Sequence, residues 1–329
     1  MDPSEQSSEE LILALLADGS PEFTSGEALS GKLGLSRAAV WKNVESLRRK
    51  GYRIEAMPAK GYRLAEIPDR LTSLELTPLL ETQEIGRILH YREVLESTNE
   101  LAFQLALEGA VHGEVVIADR LTQGKGRRGR TWTSPPNLNL YCSIVLRPEL
   151  PPQRSPEITL VAAVALAQSL NELDAPARIK WPNDLQVEGR KVAGILTELS
   201  ADPDQIHFAI LGLGINLNGG RSDFPPELQA SATSVSEVIG HRISRAPFAA
   251  LLWKHLESWL RTHAERGFPP VRAAWKRAAA TLGKKVRIQE EGRLIEGTAV
   301  DIDDSGALLV KNARGQIERV VAGDLEQAP

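Results

Sequence analysis

The feature that most constrains the fold of this chain is a short basic loop between two strand-like segments. The loop, Gly124 to Arg130, has the sequence GKGRRGR and so contains three glycines and four cations. Glycines bend freely and let backbone N–H groups approach a ligand, while guanidinium groups pair with phosphate or carboxylate oxygens. The flanking runs, Glu114 to Asp119 and Asn139 to Leu146, have the apolar character of strands. The pattern therefore predicts an anion-binding loop at the edge of a β-sheet.

The seven residues of this basic loop leave two interpretations open. They fit a specific anion site, and they fit equally well a solvated basic loop or a non-specific nucleic-acid patch. They do not form the common mononucleotide loop, because that motif needs Lys followed by Ser or Thr after its second glycine, whereas Arg127 and Arg128 follow Gly126. Other parts of the chain have to decide between the two.

Length and composition indicate a globular protein of two or three domains. The chain has 329 residues, of which 42% are hydrophobic and 25% charged, as in ordinary folded proteins. The net charge of -4 argues against a globally basic nucleic-acid binder. No apolar run approaches the roughly 18 residues that span a bilayer, and the first ten residues are acidic. We therefore expect a cytoplasmic protein without a membrane segment.

The cysteine and histidine content gives no disulfide or metal pattern. The single cysteine, Cys142, lies in a strand-like run and is predicted to be a buried small side chain. The six histidines show no ligand spacing of the H-E-x-x-H or Cys/His kind. A metal site built only from protein ligands is therefore not expected.

The first 66 residues have the pattern of a winged helix-turn-helix. Helices are predicted over 9–16, 25–33 and 37–50, with a tight turn before Ser36. In the third helix Val40, Val44 and Leu47 share the i, i+4, i+7 spacing of a buried stripe. Two strand-like runs around a Pro-Ala-Lys-Gly turn then predict the wing.

The opposite face of the third helix is the candidate DNA-binding surface. Between Pro21 and Glu66 there are nine Lys or Arg and five Asp or Glu, a local excess of positive charge in an acidic chain. In a DNA-binding module the outward residues near the start of this helix reach base edges and phosphates. The alternative is a winged helix used for packing or protein contacts. The predicted DNA-binding residues are Ser36, Arg37, Ala38, Trp41 and Lys42.

Two features of the central region are candidates for chemistry. Ser97, Thr98 and Asn99 follow a predicted strand and cap a predicted helix, which is also an ordinary structural corner. Lys191 begins an otherwise apolar strand-like run, where a cation is unfavourable unless an anion meets it. Lys191 is therefore predicted to face a ligand or a carboxylate.

Across nearly its whole length the chain resembles the biotin-protein ligases. The resemblance rests on five motifs in order: STN (97–99), GKGRRGRTW (124–132), KWPND (180–184), RKVAGILTE (190–198) and GLGINLN (212–218). The preceding segment SGEALSGKLGLSRAAVWKNVESLRRKGY resembles the bifunctional bacterial type, which is also the biotin-operon repressor.

This resemblance implies an α+β multidomain fold. Its parts would be a winged helix-turn-helix over 1–66, a mixed-sheet α/β ligase domain similar to class II synthetases over 67–281, and a β barrel resembling an SH3 fold over 282–329. The last fits the short alternating runs and turn signals after Lys284.

The resemblance also implies a two-step reaction and its partners. The carboxylate of biotin attacks the α-phosphate of ATP, pyrophosphate leaves, and a lysine of the biotin carboxyl carrier domain of acetyl-CoA carboxylase attacks the biotinyl-adenylate. The adenylate would also act as co-repressor by driving homodimer formation on operator DNA. Mg²⁺ would accompany ATP. The alternative function is a ligand-sensing regulator with weak or no ligase activity, or a relative acting on lipoate.

Site residues follow from the resemblance motif by motif. Biotin is assigned to Ser97, Thr98, Asn99, Gln123, Lys125, Gly126, Arg127 and Lys191. The nucleotide is assigned to Arg128, Arg130, Trp132, Lys180, Asn183 and Asn216. The catalytic roles go to Lys191, Arg127 and Asp184, and Asp184 is also the expected Mg²⁺ ligand.

Among the positions that depart from the family pattern is Leu121. Family members usually carry Gln three residues before the glycine that opens the basic loop, and here that residue is Leu121. Because side chains two apart on a strand point the same way, we expect Gln123 to supply the missing contact.

Overall fold

The structure, a computed structural model, describes residues 7–18, 22–290 and 293–327. The chain divides into two compact units between Leu79 and Leu80. Each unit has its own hydrophobic core, and each is described separately below.

The first unit is a winged helix-turn-helix, as the sequence predicts. Its third helix buries Val40, Val44 and Leu47 against residues of the first two helices, including Ile12 and Leu29. Its elements are α1 (Ser8–Asp18), α2 (Gly26–Leu33), α3 (Arg37–Arg49), β1 (Arg53–Met57), β2 (Gly61–Glu66) and α4 (Ser73–Leu76), followed by a 3-10 turn (Thr77–Leu79). The strands β1 and β2 pair antiparallel to form the wing.

The first unit extends further along the chain than the predicted boundary at residue 66. Glu75 on α4 is buried, and its Oε1 accepts a hydrogen bond of 2.6 Å from the hydroxyl of Tyr52. Thr72 and Glu75 also form a capping box that fixes the start of α4. These contacts join 67–79 to the winged helix rather than to the ligase domain.

A seven-stranded mixed sheet forms the centre of the second unit. Its order is β3-β4-β5-β9-β8-β7-β6, with β3 and β4 parallel and the other neighbours antiparallel. The strands are β3 (Leu89–Leu95), β4 (Val115–Leu121), β5 (Leu140–Leu146), β6 (Arg178–Lys180), β7 (Asp184–Val187), β8 (Arg190–Ala201) and β9 (Ile206–Ile215). The prediction of a mixed central sheet is confirmed.

Helices cover this sheet, and only two of them were predicted. The helix α6 is buried along most of its length because it packs against α8, α9 and strand β8. The helices are α5 (Thr98–Leu107), α6 (Pro156–Asn171), α7 (Val235–Ile239), α8 (Arg245–Arg266) and α9 (Pro269–Ala278), with 3-10 turns at Arg127–Gly129, Pro152–Arg154 and Arg221–Asp223. The sequence predicts α5 after Ser97, and the run rich in Ala, Val and Leu from about Ile158 to Leu173 predicts α6, whereas no structure was predicted for α7, α8 or α9. Among the described helices, none combines the length and apolar character needed to cross a membrane.

A five-stranded antiparallel sheet ends the chain, as predicted. Its order is β13-β12-β11-β10-β14, built from β10 (Lys285–Glu290), β11 (Arg293–Ile302), β12 (Leu308–Lys311), β13 (Ile317–Val320) and β14 (Asp324–Gln327). Buried Trp181 of the central domain donates from Nε1 to the carbonyl oxygen of Gly306 at 3.2 Å. Arg272 and Lys276 of α9 both bind the carboxylate of Asp301. The C-terminal sheet is thus anchored to the central domain.

Candidate functional site

A cleft lies between the start of α5, the basic loop and the strands β8 and β9. It is called the ligand cleft below. Its lining residues are Ser97, Thr98, Asn99, Leu121, Lys125, Gly126, Arg127, Trp132, Tyr141, Asn183, Lys191, Gly194, Ile195, Leu196, Gly212, Leu213 and Gly214. The structure therefore brings together nine of the predicted biotin or nucleotide residues: Ser97, Thr98, Asn99, Lys125, Gly126, Arg127, Trp132, Asn183 and Lys191, the last of which is also a predicted catalytic residue.

The buried end of the cleft is formed by the first residues of α5. Ser97 caps the helix, since its side chain accepts from the backbone N–H of Glu100. Ser97, Thr98 and Asn99 are each 5% exposed. Behind them lies Ser143 of β5, whose Oγ is 2.8 Å from Thr98 Oγ1 and 2.6 Å from Asn99 Oδ1. We call Ser97, Thr98, Asn99 and Ser143 the head end of the cleft.

Asn99 is held at the head end from three sides. Its Nδ2 donates to the carboxylate of Glu198 at 2.6 Å and to the carbonyl oxygen of Leu196 at 3.4 Å. A Cβ atom on Gly212 would lie 2.2 Å from Asn99 Oδ1, so this close approach needs glycine. The sequence analysis missed Glu198 and Ser143 as site residues because both lie outside the motif positions to which it assigned ligands.

The basic loop folds back on itself as a small closed turn. The N–H of Gly126 donates to Arg130 O at 2.7 Å, and the N–H of Trp132 donates to Gly124 O at 2.8 Å. Between these bonds Arg128 has φ 56° and Gly129 has φ 72°, both in the left-handed region. Gly129 adopts this conformation without strain, whereas Arg128 does so at some energetic expense.

The cations of the basic loop point to different partners. Lys125 Nζ pairs with the carboxylate of Glu100 on α5, and this contact raises the pKa of Lys125. Arg127 lines the cleft and donates to Asn183 Oδ1 at 3.2 Å. Arg128 is exposed and donates to the carbonyl oxygen of Gln289 in the C-terminal sheet at 3.3 Å. The loop is thus fixed to a helix, to the KWPND segment and to the last domain.

Lys191 forms an ion pair with Asp184, as expected for a cation in an otherwise apolar strand. Its Nζ is 2.7 Å from Asp184 Oδ1 and 5.3 Å from the centre of the Trp132 ring. The indole lies close against two glycines, because a Cβ atom on Gly194 or Gly214 would come within 2.9 or 2.6 Å of it. Glycines at these two places let Trp132 form a wall of the cleft beside Lys191.

Several predicted site residues lie outside the lining of the cleft. Asn216 is buried and donates to Thr233 O at 3.2 Å, which is a structural bond. Lys180 ends strand β6, where it pairs with Asp184 across the hairpin. Asp184 reaches the cleft only through Lys191. Arg128 and Arg130 are exposed beside the cleft.

The expected contact from Gln123 relied on a strand that continues beyond Leu121, and the structure does not continue it. Strand β4 ends at Leu121, so the alternation of strand side chains does not continue to Gln123. Leu121 lines the cleft, whereas Gln123 is exposed and absent from the lining. This wall of the cleft is therefore apolar at the position in question.

The predicted DNA-binding residues form one exposed face on α3. Ser36 caps the helix by accepting from the N–H of Ala39 at 3.2 Å. Trp41 is 58% exposed, which is unusual for a large aromatic side chain on a soluble domain. Arg37 pairs with Glu27 at 2.8 Å with both side chains largely exposed. All five predicted residues (Ser36, Arg37, Ala38, Trp41 and Lys42) are exposed.

Comparison with protein-family models gives three matches in the order of the domains. Residues 9–63 match an HTH domain. Residues 91–216 match the biotin/lipoate A/B protein ligase family. Residues 281–326 match the biotin protein ligase C terminal domain.

Similar proteins cover almost the whole chain. The bifunctional ligase/repressor BirA of Bacillus subtilis (strain 168) is 39% identical over 96% of this chain and 97% of its own length. The bifunctional ligase/repressor BirA of Escherichia coli (strain K12) is 33% identical over 91% of each chain. The solved structure of the biotin protein ligase from Aquifex aeolicus in complex with biotin and ATP superposes with a TM-score of 0.65 at 27% identity. It covers 74% of this chain and 100% of its own.

Proposed function

This chain belongs to the family of bifunctional biotin ligase/repressor proteins, and on that premise we propose how its own residues carry out ligation and repression. It is a biotin-protein ligase that uses ATP and carries an N-terminal repressor domain. The observation that supports this most directly is the ligand cleft, which combines a buried polar end with cations at its mouth. The alternative of a regulator without ligase activity is not favoured, since the lysine and arginine needed for charge stabilisation are both in the cleft.

In the first step the biotin carboxylate attacks the α-phosphate of ATP and pyrophosphate leaves. Negative charge develops on the phosphoryl oxygens, and fixed cations stabilise it most in a cleft that excludes water. Lys191, held by Asp184, is proposed to face the carboxylate and the α-phosphate. Arg127, oriented by Asn183, is proposed to neutralise the phosphate of the adenylate and retain it. Trp132 would offer its ring face to the adenine.

In the second step a lysine of the carrier domain attacks the acyl carbon of the adenylate, and AMP leaves. The cleft has to open toward the carrier for this step, and the basic loop is the element that covers it. We propose that the partner is the biotin carboxyl carrier domain of acetyl-CoA carboxylase and that the protein acts in the cytoplasm.

Mg²⁺ fits this site only as an ion bound mainly by phosphate and water. Within the described residues there is no group of three His, Cys, Asp or Glu side chains able to hold a metal ion. Asp184 offers one carboxylate beside Lys191, which suits the usual pattern of one or two carboxylates plus substrate phosphates. The ion would neutralise phosphate charge. Asp184 and the Asn183 side-chain oxygen are the proposed protein ligands.

The adenylate is also proposed to be the co-repressor. The exposed face of α3, with Trp41 at its centre, would enter the major groove of operator DNA upstream of biotin-synthesis genes. Binding to a two-fold symmetric operator requires two copies of the winged helix, so we propose a homodimer that forms when the adenylate is bound.

Biotin-dependent exchange of pyrophosphate into ATP tests the ligase proposal. We expect exchange that requires biotin, Mg²⁺ and the intact chain, followed by transfer of labelled biotin to a purified carrier domain. Lipoate in place of biotin is the control for substrate class. Absence of exchange with biotin at saturating ATP and Mg²⁺ would overturn the ligase proposal.

Gel-shift with the operator region tests the repressor proposal. We expect binding that tightens when biotin and ATP are both present and that is lost in Trp41→Ala. The matched control is Trp259→Ala on α8, a partly exposed tryptophan far along the chain from α3. Binding that ignores biotin and ATP would remove the co-repressor role.

A further inference from the structure

The backbone of Lys191 is held by a segment from a later part of the chain. Its N–H donates to the carbonyl oxygen of Ser231 at 2.7 Å, and its carbonyl oxygen accepts from the N–H of Thr233 at 2.9 Å. These two bonds form a parallel bridge between Lys191 and Ala232. The register of β8 with its neighbour β9 begins only at Ala193. The residues 231–233, called the clamp segment below, therefore take the place of β9 beside Lys191.

Asn216 ties the clamp segment to β8. Its backbone N–H donates to the carbonyl oxygen of Val192 at 2.9 Å, and its Nδ2 donates to the carbonyl oxygen of Thr233 at 3.2 Å. Asn216 is 4% exposed and Thr233 is fully buried, so water does not compete for these bonds. The residue after Lys191 and the clamp segment are thus joined through one amide side chain.

Glu237 joins the clamp segment to the residue before Lys191. Its Oε1 accepts from Arg190 Nη1 at 2.9 Å, and its Oε2 accepts from the hydroxyl of Thr233 at 3.1 Å. Glu237 is itself fixed in α7, where its backbone N–H donates to the hydroxyl oxygen of Ser234 at 3.2 Å. The bonds therefore close a ring that runs from Lys191 through Arg190, Glu237 and Thr233 back to Lys191. We call it the backbone ring.

The backbone ring lies behind the ligand cleft and not in it. Arg190, Thr233 and Glu237 are absent from the cleft lining, whereas Lys191 is part of it. Lys191 is thus held at both ends, with its Nζ paired to Asp184 and its peptide groups bonded to the clamp segment. The side chains of Arg190 and Glu237 are each 30% exposed, so we expect their ion pair to contribute little to the stability of the fold.

We propose that Glu237 is a positioning residue for the formation of the adenylate. By joining Arg190 to Thr233, it holds the backbone of Lys191 in the arrangement that directs the ammonium group into the cleft. A fixed cation stabilises developing phosphoryl charge because it needs no reorganisation, and a Lys191 that can turn loses part of that effect while keeping its charge. The proposal rests on the ligase function above and deepens it, since it adds a residue that the reaction depends on without contact to the ligand.

The first test separates catalysis from binding. Glu237→Ala removes both side-chain bonds, and we expect kcat for biotin-dependent pyrophosphate exchange to fall about 10-fold. The Kd for biotin, measured by calorimetry without ATP, should stay within about 2-fold of wild type, because Glu237 does not line the cleft. Glu227→Ala, exposed in the segment between β9 and α7, is the matched control and should behave as wild type. A wild-type kcat in Glu237→Ala would overturn the proposal.

The second test asks whether Glu237 acts through Lys191. Adding Glu237→Ala to Lys191→Ala should change the rate by less than about 2-fold, because the side chain that Glu237 positions is already gone. The rate is measured as single-turnover formation of labelled biotinyl-adenylate, which can be followed over hours in slow variants. A further loss of about 10-fold in the Lys191→Ala background would show that Glu237 acts independently of Lys191 and would reject the positioning role.

The conservative variant Glu237→Gln distinguishes hydrogen bonding from charge. Its carbonyl oxygen can accept from Arg190 and its amide can donate to the hydroxyl of Thr233, so we expect kcat within about 3-fold of wild type. A Glu237→Gln variant as impaired as Glu237→Ala would contradict a role that works through these bonds.

Should Glu237→Ala not fold, Arg190→Met opens the backbone ring on its other side, and we expect the same fall in kcat with unchanged affinity for biotin. An Arg190→Met variant with wild-type kcat would overturn the proposal as well. Absence of exchange with biotin in the wild type would instead be a failure of the ligase proposal itself, and it is visible in the first measurement.

Discussion

The head end and the basic loop face the same cleft but are built in opposite ways. Ser97, Thr98, Asn99 and Ser143 are nearly or fully buried, and the hydrogen bonds among the last three and Glu198 are 2.6 to 2.8 Å long. In the basic loop, Lys125 is about half exposed, and so is its partner Glu100 on α5. The side-chain bonds from Arg127 and Arg128 are 3.2 and 3.3 Å long.

From this difference we infer that the head end recognises biotin, whereas the basic loop retains the adenylate. A buried hydrogen bond is expensive to break because its partners have no water to turn to, so the head end keeps one arrangement and one donor pattern. Exposed ion pairs contribute little and are screened by salt, so the basic loop can exchange its protein partners for ligand oxygens. The cleft thus has a preorganised end for binding biotin and an adaptable end that covers the adenylate.

The largest expected effect comes from removing the positive charge of Lys191, which lines the same cleft as the head end and the basic loop. Lys191→Ala should lower the rate of biotin-dependent pyrophosphate exchange by about 100- to 1000-fold, because the charge that develops on the phosphoryl oxygens loses a fixed partner. Lys191→Arg, which keeps the charge, is the control and should be less impaired. Exchange within a factor of three of wild type in the alanine variant would exclude Lys191 from the reaction.

Adding one methyl group at Gly212 should disturb the buried head end, because it would displace Asn99. Gly212→Ala would place a Cβ atom 2.2 Å from Asn99 Oδ1, and a displacement of about 1 Å at a reacting site is enough to lower kcat/KM for biotin by about 100-fold. Thermal unfolding should show a moderate loss of stability. Gly31→Ala is the control, since nothing lies within 4 Å of its added Cβ, and it should be neutral or slightly stabilising. Normal biotin use by Gly212→Ala would show that Asn99 has freedom to move.

A substitution in the basic loop should change how long the adenylate stays bound and should leave the stability of the fold nearly unchanged. Arg127→Gly removes one charged donor and adds backbone freedom, so the release of biotinyl-adenylate should become about 10-fold faster. The melting temperature should stay near that of the wild type, because the bond from Arg127 to Asn183 is long at 3.2 Å and contributes little to the stability of the fold. Release is measured by chasing labelled adenylate with unlabelled biotin and ATP. Unchanged release would contradict the clamp role.

The smallest effect is expected at the edge of the loop. Glu100→Gln removes the anion that pairs with Lys125, and an exposed pair of this kind should change adenylate release by only about 2-fold. The difference should disappear in high salt, which screens the pair in the wild type as well. Glu108→Gln, at the exposed end of α5, is the control. A change above 10-fold would place Glu100 among the groups that bind ligand.

In the winged helix, periodicity alone predicts the buried and exposed faces of α3 but not how far the domain extends. The stripe of Val40, Val44 and Leu47 predicted both the buried and the exposed face of α3, because a helix places residues three or four apart on one side. The first compact unit continues to Leu79, past the predicted boundary at residue 66, and α4 joins it through the contact between Tyr52 and Glu75. That contact spans 23 positions, which local pattern does not encode.

In the ligand cleft, the motifs predicted which residues come together but not all of the contacts that these residues make. The motifs placed Thr98, Asn99, Arg127 and Lys191 in one site, and these residues line the ligand cleft together. Gln123 lies two residues beyond the end of strand β4, so strand alternation does not relate its side chain to that of Leu121. Arg128 turned to the C-terminal sheet because its backbone has left-handed φ, a property that a list of cations does not reveal.

The sequence by itself determined the helices and strands that carry the motifs, the family and the chemical character of the site, since periodicity, glycine placement and charge are local properties. It did not determine the helices α7, α8 and α9. The tertiary structure alone decided which partners these groups meet. Lys191 finds Asp184 across a hairpin, and Asn99 finds Glu198 from a helix to a strand 99 positions away. The donor and acceptor pattern of the head end depends on that second meeting, because a hydrogen bond has a direction only when both of its partners are in place.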